Sequence, residues 1–248
     1  MYFKQGKVDI VIDVGNSGAK AALFEGGELR EHLRFETLRP EALKPLFDRY
    51  AVNRGLLSTV VALPDKTLAY LGNSLSAFHL FDDVAKTPLT IDYHTPDTLG
   101  KDRIAAAVGA EYLRPGEELL VIDAGTAITF DHVTESGSYK GGNISPGMKM
   151  RFDALHTLTD KLPLIDENGE LPLLGNSTET AIRSGVVRGI CYEMDGYIDA
   201  LRDEVKRLSV FLTGGNAFYF EAKLKNRIFA EPNLVLIGLY RILLYNVK

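Results

Sequence analysis

Cysteine is nearly absent from this sequence of 248 residues, which contains Cys191 alone. A single thiol cannot form an intrachain disulfide, and a chain without disulfides suits a reducing compartment. Apolar residues around Cys191 recur at helical spacing, so we expect a buried core thiol there rather than a nucleophile.

Long apolar runs and an excess of basic residues are also missing. No run approaches the roughly 18 to 20 residues of a membrane span, and the first residues lack the apolar segment of a signal peptide. The sequence therefore predicts a cytoplasmic protein without a membrane partner. The chain has 28 Lys and Arg and 33 Asp and Glu, so its net charge is -5. This negative charge argues against nucleic acid as a partner.

Several common ligand motifs are absent as well. The chain has no Walker A sequence, no G-x-G-x-x-G and no H-E-x-x-H, and its five histidines show no metal-ligand spacing. A phosphate site in this chain must therefore have a different architecture.

One pattern, however, occurs twice. The stretches VIDVGNSGAK and VIDAGTAITF each run from an apolar strand through an Asp-X-Gly turn into a second strand, and Asp13 and Asp123 are their leading acids. A repeat on this scale predicts a mixed α/β fold of two similar subdomains, residues 1–115 and 116–248. A cleft between such halves is the expected ligand site.

The coarse pattern along the chain agrees with this division. Each half opens with three strands joined by short turns, and helical spacing follows. In the second half we predict helices at 148–158, 179–206, 217–225 and 234–245. Between the second and third of these lies a strand that ends in a third glycine turn, TGGNA, which is a candidate contact for adenosine.

The first acid-glycine turn has the chemistry of a polyphosphate site. Gly15 permits close backbone approach, while Asn16 and Ser17 add short polar groups. Lys20 adds a positive charge on the returning strand, and the Asp13 carboxylate suits Mg²⁺. The alternative is an ordinary hairpin in which Asp13 caps the turn, but the second turn of the same kind favours the binding site.

The segments DVGNSGAK, GKDR, DAGTAITFD, GGNISPG and TGG occur in this order. Together they resemble the type III pantothenate kinases, which belong to the superfamily of acetate and sugar kinases, heat-shock ATPases and actin. The resemblance covers nearly the whole chain. It implies a duplicated actin-like (ribonuclease H-like) ATPase fold that uses ATP to phosphorylate pantothenate, the first step of coenzyme A biosynthesis.

The resemblance also implies roles for individual residues. It places Mg²⁺ at Asp13 and a monovalent cation, K⁺ or NH₄⁺, at Asp123, and it makes Asp102 the catalytic base. ATP contacts fall on Asp13, Gly15, Asn16, Ser17, Gly18, Lys20 and Thr126. Pantothenate contacts fall on Tyr93, Gly100, Lys101, Asp102, Arg103 and Thr178.

Some assignments stay open from the sequence. Ser177 is an alternative to Thr178 for the substrate contact, because the segment GNST is shifted relative to the family pattern. Asp102 could simply be an acid favoured at a helix start. Asp131 could lie near the monovalent cation or face solvent, and Arg103 could bind the substrate carboxylate or a phosphate.

The sequence is also compatible with two alternative functions, and the resemblance implies an oligomeric state. A related kinase could use another small hydroxylated acceptor, and a non-catalytic relative could sense nucleotide as a regulator. Because Asp13, Asp102 and Asp123 are all present, the sequence favours an enzyme. The resemblance further implies a homodimer in which Thr178 acts near the partner's site.

Overall fold

The structure is a computed structural model that describes residues 6–82 and 85–247. The strands are β1 (Val8–Gly15), β2 (Gly18–Glu25), β3 (Glu28–Phe35), β4 (Val52–Thr59), β5 (Ala77–Leu80), β6 (Thr90–Ile91), β7 (Glu118–Ala124), β8 (Ala127–Val133), β9 (Ser138–Pro146), β10 (Leu208–Thr213) and β11 (Phe229–Ala230). The helices are α1 (Pro40–Arg49), α2 (Asp65–Ser74), α3 (Lys101–Leu113), α4 (Met148–Thr157), α5 (Thr178–Glu204), α6 (Ala217–Glu221) and α7 (Leu234–Asn246).

The contacts divide the chain into two compact units. The first unit comprises the residues up to Pro115, residues 137–139 and the C-terminal segment from Asn233. The second comprises residues 116–136 and 140–232. The C-terminal helix α7 therefore packs with the first unit. In neither unit does a described helix have the length and apolarity needed to cross a membrane.

The two units contain sheets with the same strand order. The first sheet has the order β3-β2-β1-β4-β5, and the second has the corresponding order β9-β8-β7-β10-β11. In each, the first two strands of the repeat pair antiparallel, while the first and fourth pair parallel. The short strand β6 pairs with the start of β9. The predicted duplicated α/β fold is confirmed, whereas the exact subdomain bounds stay a prediction.

The central strand β1 is buried on both faces, as its apolar sequence predicts. Side chains alternate along a strand, so Val8, Ile10, Ile12 and Val14 share one face. They belong to one core cluster with residues of α1 and α2. The opposite face of the strand carries Asp9, Val11 and Asp13.

Helix α7 covers the opposite face of this sheet. The Tyr240 ring stacks on Phe24 with centroids 4.1 Å apart. Beside this contact, Asp9 is 5% exposed and accepts two hydrogen bonds from Arg54, at 2.9 and 2.6 Å. A bidentate pair compensates much of the cost of burying this charge.

Helices α3 and α7 approach each other closely within the first unit. A Cβ atom added at Gly238 would overlap the carbonyl oxygen of Ala105 and lie 2.9 Å from the amide nitrogen of Gly109. Side chains at this crossing would separate the two helices. The glycines therefore fix where α3 lies, and with it the GKDR segment at its start.

The second unit has its own core on one face of the sheet. Leu120 and Ile122 of β7 pack with residues of α4, α5 and α6. The helices predicted at 148–158 and 234–245 are confirmed as α4 and α7, with ends that differ by at most one residue. The helix predicted at 179–206 is confirmed as α5, with ends that differ by at most two residues. The prediction for 217–225 was too long. The helix ends at Glu221, because the backbone amides of Lys225 and Asn226 donate to the buried carboxylate of Asp195 instead.

Replacing Gly238 with alanine should lower the free energy of unfolding by about 1–3 kcal/mol, because overpacking forces the backbones apart. Chemical denaturation followed by circular dichroism measures this change. Gly72→Ala is the matched control: Gly72 is exposed in α2 and nothing lies within 4 Å of its added Cβ, so this variant should be unchanged or slightly more stable. Equal stability of the two variants would contradict the crossing described here.

Candidate active site

The first acid-glycine turn is a tight hairpin between β1 and β2. Gly15 pairs with Gly18, and Asn16 and Ser17 are exposed at its tip. Gly18 has φ +124°, and an added Cβ there would come within 2.6 Å of the Phe35 carbonyl oxygen. Only glycine fits this position without strain. The turn therefore presents two polar side chains and its backbone to an incoming ligand.

Asp13 lies at the centre of a cross-strand row. It pairs with Lys20 on the antiparallel neighbour β2 and with Ser58 on the parallel neighbour β4. Residues paired across strands share a face of the sheet. The three side chains thus project together at the carboxyl end of β1.

The pKa of the Asp13 carboxyl is raised to about 6, mainly by burial and also by the nearby carboxylate of Asp102. Lys20 and the Ser58 hydroxyl oppose this rise. The contact from Ser58 nevertheless falls short of standard hydrogen-bond geometry, because its Oγ has no hydrogen-bond partner in the described part of the chain. A half-buried acid beside a second acid is a site at which a cation would be stabilised.

Asp102 lies in the first turn of α3, where Gly100 is the N-terminal cap. One oxygen of the Asp102 carboxylate, Oδ1, accepts a hydrogen bond from the Arg103 amide at 2.9 Å. The repulsion between Asp13 and Asp102 shows that the structure brings these two predicted residues together. The sequence alone offered no contact between them.

The neighbours of Asp102 differ from it in environment. Arg103 is buried, with 6% exposure. Lys101 lies over the Phe81 ring, with its Nζ 5.8 Å from the centroid, and both line a cavity of about 350 Å³. Successive helix residues point in different directions. The structure therefore gives no direct support to the predicted pantothenate contact from Lys101, and that contact stays a prediction.

Tyr93 lies two residues after the end of β6. Its ring meets the fully buried Tyr139 ring edge-on, with centroids 6.1 Å apart. The β6–β9 pairing holds the two together, since the amide of Asp92 donates to the Tyr139 carbonyl at 2.9 Å. No local sequence pattern identifies Tyr139, because it lies far along the chain from Tyr93.

Asp123 occupies the equivalent position in the second unit. It pairs with Thr129 on β8 and with Thr213 on β10. Gly214 has φ +93°, and a side chain there would overlap the Asp123 carboxylate. The amide of Asn216 also donates to the carbonyl of Ala124 at 3.0 Å. The third glycine turn therefore packs against the second acid.

Thr126 is exposed at the second turn. The Gly147 amide donates to the Thr126 carbonyl at 3.1 Å, so the GGNISPG segment supports this turn. Asn216 also lines a cavity of about 680 Å³, with Met148, Phe152 and Arg183 among its walls. This cavity lies within the second unit.

Asp131 does not face solvent, so that alternative is wrong. The side chain is 0% exposed and accepts a hydrogen bond from Thr129 at 3.2 Å. Asp131 lies two residues after Thr129 on β8, so it shares the face that carries Asp123. This placement keeps open its role near a cation.

The two candidates at the start of α5 differ in what their hydroxyls do. Ser177 caps the helix: its Oγ accepts from the Thr180 amide at 3.2 Å and forms a second hydrogen bond with Thr180 Oγ1. Thr178, the first residue of the helix, is exposed. The capping requirement therefore leaves Thr178 better able to contact a ligand.

The residues around Asp13 fit one kind of metal site. The described ranges contain no group of three or more His, Cys, Asp or Glu side chains that could hold a metal ion. Mg²⁺ in phosphotransferases is usually bound by one or two carboxylates together with substrate phosphates. A desolvated acid such as Asp13, next to a glycine turn with exposed polar residues, suits that shared mode.

Comparisons with known proteins identify the family of this chain. The sequence model of a family described as type III pantothenate kinase matches residues 9–200. The chain belongs to this family. A type III pantothenate kinase from Phocaeicola vulgatus is 49% identical over 243 residues, covering 97% of this chain and 100% of that protein. Another from Bacteroides fragilis (strain YCH46) is 45% identical over 239 residues, covering 96% and 98%.

Solved structures show the same fold at lower identity. A Baf family protein from Campylobacter jejuni superposes with a TM-score of 0.61 and 21% identity, covering 96% of this chain and 98% of that chain. A ROK hexokinase from Thermus thermophilus gives 0.54 and 14%, with 97% and 100% covered. Type III pantothenate kinases thus share their duplicated fold with a sugar kinase.

The raised pKa of Asp13 predicts a pH-dependent stability in this kinase. Because the folded state binds the proton more tightly than the unfolded chain, the metal-free protein loses stability as pH rises from about 4 through 6. Asp13→Asn removes this loss. In EDTA at pH 8 we expect the variant to exceed the wild type by up to about 3 kcal/mol, an upper bound from the shift.

Thermal melts at pH 4 and pH 8 measure the effect. The extra stability of Asp13→Asn over the wild type should shrink towards pH 4, where Asp13 of the folded wild type is protonated and therefore uncharged. Asp48→Asn, at an exposed position of α1, is the control and should show no such trend. If the stability difference between Asp13→Asn and the wild type did not change with pH, a buried unfavourable charge at Asp13 would be contradicted.

Proposed function

We propose that this protein transfers the γ-phosphoryl group of ATP to the 4′-hydroxyl of pantothenate, the first step of coenzyme A biosynthesis. Family membership supports the reaction, and the closeness of the Asp13 and Asp102 carboxylates, seen in the effect of Asp102 on the pKa of Asp13, is the observation that carries the mechanism. Asp13 lies just before the turn proposed to bind phosphate, and Asp102 lies in the first turn of the helix that follows the Tyr93 segment. Their mutual repulsion is what a kinase site would offset with a cation and substrate.

The phosphates of ATP bind at the first turn in this proposal. Gly15, Gly18 and the backbone around Asn16 and Ser17 approach the phosphate oxygens, and Lys20 contributes a positive charge. Asp13 holds Mg²⁺ together with the phosphates. When bound, the ion neutralises charge on the transferred group.

Asp102 orients the acceptor hydroxyl and takes its proton. Phosphoryl transfer depends mainly on positioning and charge neutralisation, so a carboxylate is basic enough to accept this proton late in the reaction. The hydrogen bond from the Arg103 amide occupies Oδ1 of Asp102. The second oxygen, Oδ2, is then the one assigned to the substrate.

In the second unit, we assign ATP contacts to Thr126 and the monovalent cation, K⁺ or NH₄⁺, to Asp123. Exposure of Thr126 and the close approach of Gly214 to Asp123 support these assignments. The 680 Å³ cavity beside Asn216 is our candidate for the adenosine moiety. Helix α6 has five residues, so its dipole contributes little there and the cavity walls carry the recognition.

The pantothenate side of the proposal includes Tyr93, Gly100 and Arg103. Tyr93 is held against Tyr139, and an aromatic ring fixed in this way provides a preformed apolar wall. We assign the further substrate contact to Thr178, since the Ser177 hydroxyl is used by the helix cap.

A homodimer completes the proposal. Leu173 and Leu174, just before α5, are 67% and 84% exposed, and Tyr192 on the helix is 59% exposed. Large apolar side chains grouped in one segment favour a covering partner. Because Thr178 belongs to the same segment, a partner copy would lie near it. We place the enzyme in the cytoplasm, where ATP is available.

Purified protein should release ADP from ATP only when pantothenate is present, in a buffer containing Mg²⁺ and K⁺. A coupled assay of ADP release measures this reaction. Glucose and acetate are parallel acceptors, because the fold is shared with a sugar kinase; we expect neither to support turnover. Folded protein without pantothenate-dependent ADP release would overturn the activity, and turnover with glucose alone would favour a different acceptor.

Asp102→Asn should reduce kcat by about 10²- to 10⁴-fold, the range for loss of a general base. Affinity for ATP should stay within a few-fold of wild type, because the proposed nucleotide contacts are untouched. Steady-state kinetics and nucleotide binding test the two parts separately. Asp97→Asn, on the exposed 3₁₀ turn before α3, is the matched control, and equal kcat in both variants would remove Asp102 from the mechanism.

A further inference from the structure

Ser58 is the member of the cross-strand row that no sequence motif singles out. It lies on β4 at the register position of Asp13, and its residue exposure is 1%. Its Oγ has no hydrogen-bond partner in the described part of the chain. A buried hydroxyl without a partner costs free energy, typically about 1–3 kcal/mol, so its presence beside an acid calls for an explanation.

The duplicated sheet supplies a second instance of this arrangement. In the second unit the acid is Asp123, and the residue paired with it on the parallel neighbour is Thr213, which is also 1% exposed. The antiparallel partners differ, with Lys20 in one unit and Thr129 in the other. A buried hydroxyl on the parallel strand is therefore the feature that both acids share.

We propose that Ser58 is a positioning residue: its unpartnered hydroxyl, which lies beside Asp13 in the row, donates to the Asp13 carboxylate when a divalent cation is bound and orients that carboxylate towards the cation. The inference rests on the proposed role of Asp13. A carboxylate can accept from Ser58 with one oxygen and still present the other oxygen to a cation. The donor then fixes one rotamer of Asp13, as partners of metal ligands commonly do.

Binding of ADP with MgCl₂ and with EDTA tests this role without relying on activity. The dissociation constant in EDTA divided by that in MgCl₂ measures how much the metal strengthens ADP binding. In Ser58→Ala we expect this ratio to fall roughly tenfold, the size of one hydrogen bond to a charged group, while affinity in EDTA stays unchanged. Thr67→Ala is the matched control, since Thr67 is another fully buried hydroxyl of the first unit, in α2.

Asp13→Asn and the double variant separate this inference from the proposed function. If Ser58 acts through Asp13, adding Ser58→Ala to Asp13→Asn should change the ratio no further. Suppose that Ser58→Ala keeps the wild-type ratio while the ratio in Asp13→Asn falls to about 1. That result would overturn the positioning role of Ser58 and leave the metal assignment to Asp13 intact. A wild-type ratio in Asp13→Asn would overturn the metal assignment itself, and this inference with it.

Discussion

The desolvated carboxylate of Asp13 is the constraint on which the first unit depends. A buried acid is unfavourable by itself, and its raised pKa of about 6 reports that cost. The fold retains it at the end of the most buried strand and adds a second acid, Asp102, nearby. Lys20 and Ser58 offset only part of the penalty. A bound cation, as proposed for Asp13, would offset the remaining unfavourable charge of this arrangement.

The position of Asp102 depends in turn on how α3 is held. Gly109 and Gly238 let the backbones of α3 and α7 approach closely, and α7 packs on the face of the sheet that carries Asp13. Helix geometry is rigid over its length, so a shift at the crossing would move the start of α3. Gly109 and Gly238, which have no functional side chain, therefore help to set the distance between Asp13 and Asp102.

The sequence predicted the duplicated fold because the repeat is local: each half contains a strand, a turn and an acid in a readable order. Most candidate site residues came from the same motifs. Ser58, Tyr139 and Gly238 could not be found in this way, because their importance arises from pairings between distant segments. Asp131 was ambiguous for a related reason, since the face on which a strand residue lies depends on neighbours that the local sequence does not name.

The duplication also gives the two proposed cation sites a common structural frame. Both acids end a central strand and have a hydroxyl residue on the parallel side. Lys20 beside Asp13 balances charge at a turn suited to phosphates, and Mg²⁺ shared with phosphates fits there. The antiparallel partner of Asp123 is Thr129, which brings Asp131 onto the same face. Under the proposed assignment of K⁺ or NH₄⁺ to Asp123, the difference between the two sites would follow from the residue at one register position, which is Lys20 in the first unit and Thr129 in the second.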